Sequence, residues 1–269
     1  AKLPNLKTIR IGTKAVSYWP YKFLTNSDAD ETLKNFEKIV KSGTHLAIMA
    51  HFNHLVELST DPIKEAIKRI RNTGAQIRTQ SPLLAHINDD ANMWAEMWQK
   101  QVSLGCIPYY MFVVRDTGAQ QYFGVPLVKA EKIFRTAFRK VSGLARTVRG
   151  PSMSATPGKV HVLGVSEING QKVIVLQLLQ GRESEWVGVP FIAKYDENAI
   201  WLDDLVPAFG EKFFFEDELK TKYTKTGVER TVPGPQTKRV NKTQRYNGIS
   251  FQAPLPTLVI PFFLESPNL

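Results

Sequence analysis

The sequence predicts an α/β fold: a partial (β/α) barrel, half of an eight-unit ring with its N-terminal half missing, followed by a β-hairpin region and an irregular tail. Three observations predict it. Short apolar runs begin at intervals of roughly 30 to 37 residues, and each is followed by a stretch whose apolar residues have helical spacing, the rhythm of parallel β-α units. The runs end in polar clusters, as strands do when their carboxyl ends open onto a ligand and their bodies are packed with aliphatics. After Gly150 the texture changes, first to a Ser/Gly/Pro stretch and then to strand-like sequence. The expected divisions are 1–150 for the barrel half, 151–206 for a lysine-bearing loop and hairpin, and 207–269 for a basic, aromatic, proline-rich tail.

Thr8–Gly12 alternates and ends at glycine, a short strand leading into the aromatic loop Tyr18-Trp19-Pro20-Tyr21. Ser27 or Asp28 caps a helix to about Lys41, with Leu33, Phe36, Ile39 and Val40 on one side. His45–Met49 is an apolar run entered through Gly43 and left through His51-Phe52-Asn53-His54, the pattern of a strand buried on both faces. Ser59 or Thr60 starts the next helix, with Pro62 in its first turn, Ile63, Ala66, Ile67 and Ile70 on one face, and Gly74 closing it. Gln76–Thr79 is a short strand reaching Gln80-Ser81-Pro82. Asn88 or Asp89 caps a helix through Met93 and Met97 that stops at Gly105. Ile107–Val114 is the clearest strand and ends in Arg115-Asp116, and a helix from about Leu127 to Val141 completes the series. Pro151–Gly158 reads as a loop, and Lys159–Gly164 with Gln171–Leu179 as a hairpin turning at Asn169-Gly170. Both sheet edges would be open unless something covers them.

Composition narrows the partners. Thirty-five basic against 25 acidic residues give a net charge of +10, which suits an anionic ligand, be it a phosphate-bearing cofactor, an acidic substrate or nucleic acid. The basic stretches 135–149 and 220–245 match no nucleic-acid module, and solvated faces explain them at less cost. One cysteine, Cys106, excludes an internal disulfide framework and a metal site built mainly from this chain's thiols, and a reducing, cytoplasmic setting is expected. No apolar run approaches a membrane span. The chain opens at Ala1, as a processed protein or a piece of a longer one does.

The strand ends hold the candidate chemistry. His51 and His54, three apart at a strand end, diverge too far for joint metal ligation and suit hydrogen bonds to a ligand, while Asn53 serves either a ligand or a helix cap. Gln80 and Ser81 could bind an amide, phosphate or ribose, although Ser81 before Pro82 is equally a plain turn. Arg115 offers a planar fork for carboxylate or phosphate, or a salt bridge to neighbouring acids. Lys159 follows a small-residue loop and opens a strand, a position in which a lysine could form a Schiff base with pyridoxal phosphate once burial lowers its pKa. The glycine spacing there is not that of a P-loop.

HFNH followed by VELST, then IKRIRNTGAQIRTQSPLLAHINDD, then the Pro-Tyr-Tyr strand, in this order from about Thr8 to about Leu179, resemble the C-terminal half of the lysine 2,3-aminomutase family of radical S-adenosylmethionine enzymes. The resemblance implies a radical S-adenosylmethionine-type partial barrel holding a [4Fe-4S] cluster, S-adenosylmethionine and pyridoxal 5'-phosphate, and an isomerase that shifts an amino group between adjacent carbons. It places His51, Asn53 and Gln80 at the cofactor rim, with His54 and Ser81 expected beside them from their own positions, and Lys159 at the Schiff-base position, in a loop that has Ser-Ala-Thr-Pro where the family has glycines. The cluster-binding CxxxCxxC motif is absent, so this chain alone is expected to be inactive and to need the missing barrel half. Where lysine-specific members carry two aspartates for the substrate's distal ammonium, this chain has Arg115 and Arg149, with Asp116 one residue out of register. That reversal implies an amino-acid substrate with an anionic side chain. The tail is expected to pack over the domain or onto a second subunit of a homo-oligomer. Two other readings stay open: a non-catalytic binding protein on the same scaffold, and a radical enzyme that has abandoned pyridoxal phosphate.

Overall fold

In the computed structural model, residues 5–115, 117–225 and 257–261 are described. Strand β1 (Thr8–Thr13) leads into the short helix α1 (Ala15–Tyr18), then helix α2 (Ala29–Lys41), strand β2 (His45–His51), helix α3 (Asp61–Asn72), strand β3 (Gln76–Leu83), helix α4 (Ala91–Ser103) and strand β4 (Ile107–Val113). A one-turn helix α5 (Gln120–Phe123) precedes α6 (Leu127–Arg139). Four strands follow without an intervening α-helix until the last residues: β5 (Arg149–Ala155), β6 (Gly158–Ile168), β7 (Gln171–Gly181) and β8 (Pro190–Lys194), then α7 (Glu216–Lys225) and β9 (Thr257–Pro261).

All nine strands form one sheet in the order β8-β7-β6-β5-β4-β3-β2-β1-β9. Strands β9 through β5 run parallel, and β5 to β8 antiparallel. The fold is thus mixed α/β, and the described strand order is linear. β9, from the region expected as tail, pairs along β1, and the β6–β8 hairpin strands extend the sheet past β5. The sheet crosses position 150 without a break. Most of the tail, 226–256 and 262–269, lies outside the described residues.

Period-3.6 apolar stripes explain where the helices pack. Ile63, Ala66, Ile67 and Ile70 of α3 are all buried, and α4 buries Trp94, Met97 and Trp98. They meet Ile9, Ile11, Leu46, Ile48, Ala50, Ile77 and Met111 of β1 to β4 in one apolar cluster. A second cluster joins Met153, Val160, Val162, Ile174 and Leu176 to Trp186, Phe213 and Phe215. Since successive strand residues alternate faces, Thr8, Arg10, Gly12, Arg78, Gln80 and Pro82 lie on the side away from the helices. The sheet therefore has an apolar helix-packed face and a polar one.

Turn chemistry agrees with the sequence at two points. Gly74 ends α3 at φ +87°, a backbone shape open to glycine. Asn169 and Gly170, at φ +50° and +74°, make the two-residue turn of the β6–β7 hairpin. The α4 cap differs from the expected Asn88 or Asp89: Asp90 accepts the Met93 N–H, and Asn88 is buried elsewhere in the loop. The stretch read as a Ser/Gly/Pro loop, 151–158, instead contains most of β5, a fifth parallel strand. No helix among the described residues is long and apolar enough to cross a membrane.

Candidate active site

One row of side chains crosses the sheet from the carboxyl end of β2, through the middle of β3 and β4, to the first residue of β5. His51 of β2 is the register partner of Gln80 of β3, Gln80 of Tyr110 of β4, and Tyr110 of Arg149 of β5. The row is reached because β4 gains a residue: between Thr79 and Gln80 the partner jumps from Pro108 to Tyr110, so Tyr109 is extra.

His51 and Gln80 touch, Nε2 to Nε2, at 2.6 Å. An amide nitrogen can only donate, so His51 accepts at Nε2 and its neutral form carries the proton on Nδ1. Burial and then Lys14 push His51 below the ordinary histidine range, against a smaller opposing pull from Glu57. Glu57 also organises the tip: it bonds Lys14 Nζ at 3.1 Å and accepts the Asn53 N–H at 2.6 Å.

Lys159 is the second residue of β6, which turns back antiparallel along β5, so its amine returns to the carboxyl ends of the parallel strands. Nζ lies 4.1 Å from the centroid of Tyr110 and 5.2 Å from that of Phe112, two rings stacked 5.0 Å apart. Burial first, then Arg10, Arg149 and Arg115, lower the amine from 10.5 to about 8. Each cause disfavours the ammonium, which leaves a titratable nucleophile near neutral pH. Beside it the Tyr110 hydroxyl is buried and lacks a well-formed hydrogen bond to the described residues, and so is that of Ser152, the register partner of Phe112. Burial raises the Tyr110 phenol, with Tyr109 adding to the effect and Arg149 opposing it. His161, opposite Ser152, contacts the Gly150 carbonyl oxygen through Nε2 at 2.9 Å and is pushed down chiefly by burial.

The candidate residues thus fall into groups. His51, Gln80 and Arg149 share the row, and Lys159 sits over its tyrosine with Arg115 within electrostatic reach. Ser81 is buried on the helix-facing side, where its hydroxyl donates to Asn53 Oδ1 at 3.4 Å. His54 accepts the Val56 N–H at Nδ1 and caps the turn Leu55–Leu58. Asp116 lies outside the described residues. Asn88, read only as a cap, ties two strand ends together: it accepts the Leu84 N–H and donates to the carbonyls of Asn53 and Pro82. Little in the sequence marks Arg10, Arg78, Tyr109 and Tyr110 as site residues beyond the charged residue between Ile9 and Ile11, a sign of the face opposite the helices.

These residues fit pyridoxal phosphate: a depressed amine, buried hydroxyls, stacked rings and guanidinium groups for a phosphate. They do not fit an iron–sulfur cluster. Such a cluster takes thiolates, and Cys106 is a single side chain in the helix-packed core whose thiol burial pushes up to about 12. Among the described residues no group of three or more His, Cys, Asp or Glu side chains could hold a metal ion. A cavity of about 470 Å³ lined by Lys194, Tyr195, Asp196, Glu197, Asp204 and Val206 lies after β8, away from the row.

The chain is 28% identical over 211 residues to a putative L-lysine 2,3-aminomutase of Aquifex aeolicus (strain VF5), a match covering 78% of this chain and 54% of that protein. It is 27% identical to the L-lysine 2,3-aminomutase of Escherichia coli (strain K12), over 58% of this chain and 44% of the relative. It is 25% identical to the glutamate 2,3-aminomutase of Clostridioides difficile (strain 630), over 54% and 32%. The chain spans about half or less of the length of these relatives. No family model matches.

Proposed function

With assignment to the lysine 2,3-aminomutase family, which these matches support at low identity, as the premise, we propose that the chain carries the cofactor- and substrate-holding rim of an enzyme that moves an amino group between adjacent carbons of an amino acid with an anionic side chain. The observation that carries the reading is Lys159 over Tyr110, in the row that also contains His51, Gln80 and Arg149.

Pyridoxal phosphate, when bound, supplies a conjugated ring that delocalises electron density from the amino group being shifted. Lys159 would hold it through the side-chain amine, and the depressed pKa keeps a usable fraction of that amine unprotonated at neutral pH. Tyr110 and Phe112 would form an apolar wall beside it. His51, held neutral by burial and oriented by Gln80, would offer its Nδ1–H as a donor to a ligand at the rim, S-adenosylmethionine among them. Arg115 and Arg149 favour an anionic side chain and repel an ammonium. The relatives' names include both lysine and glutamate, so the names leave the substrate open, and the two guanidinium groups support an anionic one. Cluster thiolates are not among the residues of this sequence, and no radical step is assigned to them.

Incubation with pyridoxal phosphate, reduction by borohydride and peptide mapping tests the reading. The expected adduct sits on Lys159 and disappears in Lys159→Ala. Equal labelling of other lysines in both proteins, with none specific to Lys159, would overturn it and favour a non-catalytic binding protein on this scaffold.

A further inference from the structure

Three guanidinium groups converge on one ring. The Cζ atoms of Arg10, Arg78 and Arg149 lie 5.9, 5.2 and 5.9 Å from the centroid of Tyr109. They come from three strands, β1, β3 and β5, and Tyr109 is the extra residue of β4. None of the three pairs with a carboxylate among the described residues, and Arg78 has a single long contact, 3.5 Å, to Gln76 Oε1. Beside them Gly12, in register with Met49 and through it with Arg78, leaves open space: a Cβ there would meet nothing within 4 Å.

Like charges gathered around one ring repel, and cation–π contact with one tyrosine offsets little of that. A single carboxylate satisfies one arginine fork, with two parallel N–H···O bonds, and leaves the other two groups uncompensated. A phosphate group, with two charges and three terminal oxygens, can engage all three. We propose that Arg10, Arg78 and Arg149, set around Tyr109, form a binding site for a phosphate-type dianion. The site shares Arg149 with the function proposed above and rests on that reading only for the source of the anion, which is either the cofactor's phosphate or a phosphorylated substrate.

Inorganic phosphate is the probe. Its 31P line width and a calorimetric titration, at ionic strength held constant with chloride, are measured for the full chain, Arg10→Gln and Arg78→Gln. The wild-type chain is expected to bind one phosphate per chain, and each substitution to weaken binding by about tenfold or more, the loss of one charge-assisted fork. Arg78→Lys, which keeps the charge and loses the fork, should fall between, and it serves where the glutamine variant does not fold. Phosphate binding no stronger than chloride, or unchanged by all three substitutions, overturns the site. The borohydride-fixed pyridoxal phosphate adduct separates the sources: loss of phosphate binding assigns the site to the cofactor, and retention to the substrate. Phosphate affinity that survives in Lys159→Ala while no Lys159 adduct forms in the wild type would remove the proposed function and leave this site standing.

Discussion

Replacing Arg10 with glutamine takes away the largest single charge acting on Lys159 and leaves its burial intact. The lysine stands at about 8 against an ordinary 10.5, with burial the first cause and Arg10 the second. At pH 7.5 an amine at about 8 is roughly one quarter neutral, whereas one at 10.5 is neutral in about one molecule per thousand, a difference of roughly 200-fold in nucleophile. Because burial outweighs Arg10, the substitution can return less than half of that interval, so the midpoint should rise but settle below about 9.3, lowering reactivity at pH 7.5 by at most about 15-fold. Competitive acetylation with trace acetic anhydride across pH 6–11, read at the Lys159 peptide with other lysines as internal standards, measures both midpoints. The reagent has no phosphate for the arginines to hold, so a change in anion binding does not enter. A wild-type midpoint near 10.5, or an Arg10→Gln midpoint at the wild-type value in a folded protein, would refute the electrostatic account.

Three further outcomes are expected. Lys159 has a folded pKa below its unfolded one, so the unfolded chain binds more protons between about 8 and 10.5 and the wild type should gain stability as pH rises through that window. Lys159→Met should remove this rise and be more stable at pH 7 by about 1–2 kcal/mol after solvent screening, read from urea midpoints at pH 7 and 10. His51 and His161 are both lowered from 6.5, chiefly by burial, so stability should fall as pH drops below about 6.5, and the double variant His51→Gln, His161→Gln should flatten that limb of an acid titration. Asn88→Ala breaks three hydrogen bonds at a buried position and should cost roughly 2–4 kcal/mol in chemical denaturation, with a wild-type-like value arguing against its role in tying the strand ends.

What the sequence revealed depends on how much of each element's pattern is local. Helices α2, α3 and α6 were legible because their apolar spacing is a property of the segment itself, and Gly74 and Asn169-Gly170 state their backbone shapes outright. β5 was not. Its residues read Arg-Gly-Pro-Ser-Met-Ser-Ala, with only Met153 and Ala155 facing the apolar cluster. It is a strand because β4 and β6 pair with it on both sides, a tertiary fact. The register irregularity between Tyr110 and Phe112 also shows how the ladder accommodates Gly150 and Pro151, neither of which marks a strand interior. Asparagine favours caps, so the sequence points to Asn88 as one; its bonds to the carbonyls of Asn53 and Pro82 hold it elsewhere and leave the cap to Asp90. Arg10 and Arg78 were readable as polar-face residues, but their meeting at Tyr109 needed the bulge in β4.

One electrostatic cause links the lysine and the arginines. A guanidinium stays charged at any pH the protein meets, whereas an ammonium can shed its proton, so in a half-buried cluster of cations the lysine is the group that yields. The field that lowers Lys159 is the same one that attracts an anion to Arg149 and Arg10. An aspartate pair in place of Arg115 and Arg149 would do the reverse on both counts, holding Lys159 protonated more firmly and drawing a cationic side chain. Reversing charge at those positions therefore has two coupled effects: Arg149→Asp should raise the Lys159 midpoint as well as weaken anion binding. A variant that did only one of these would separate the lysine from the arginines and dissolve the single site argued for them.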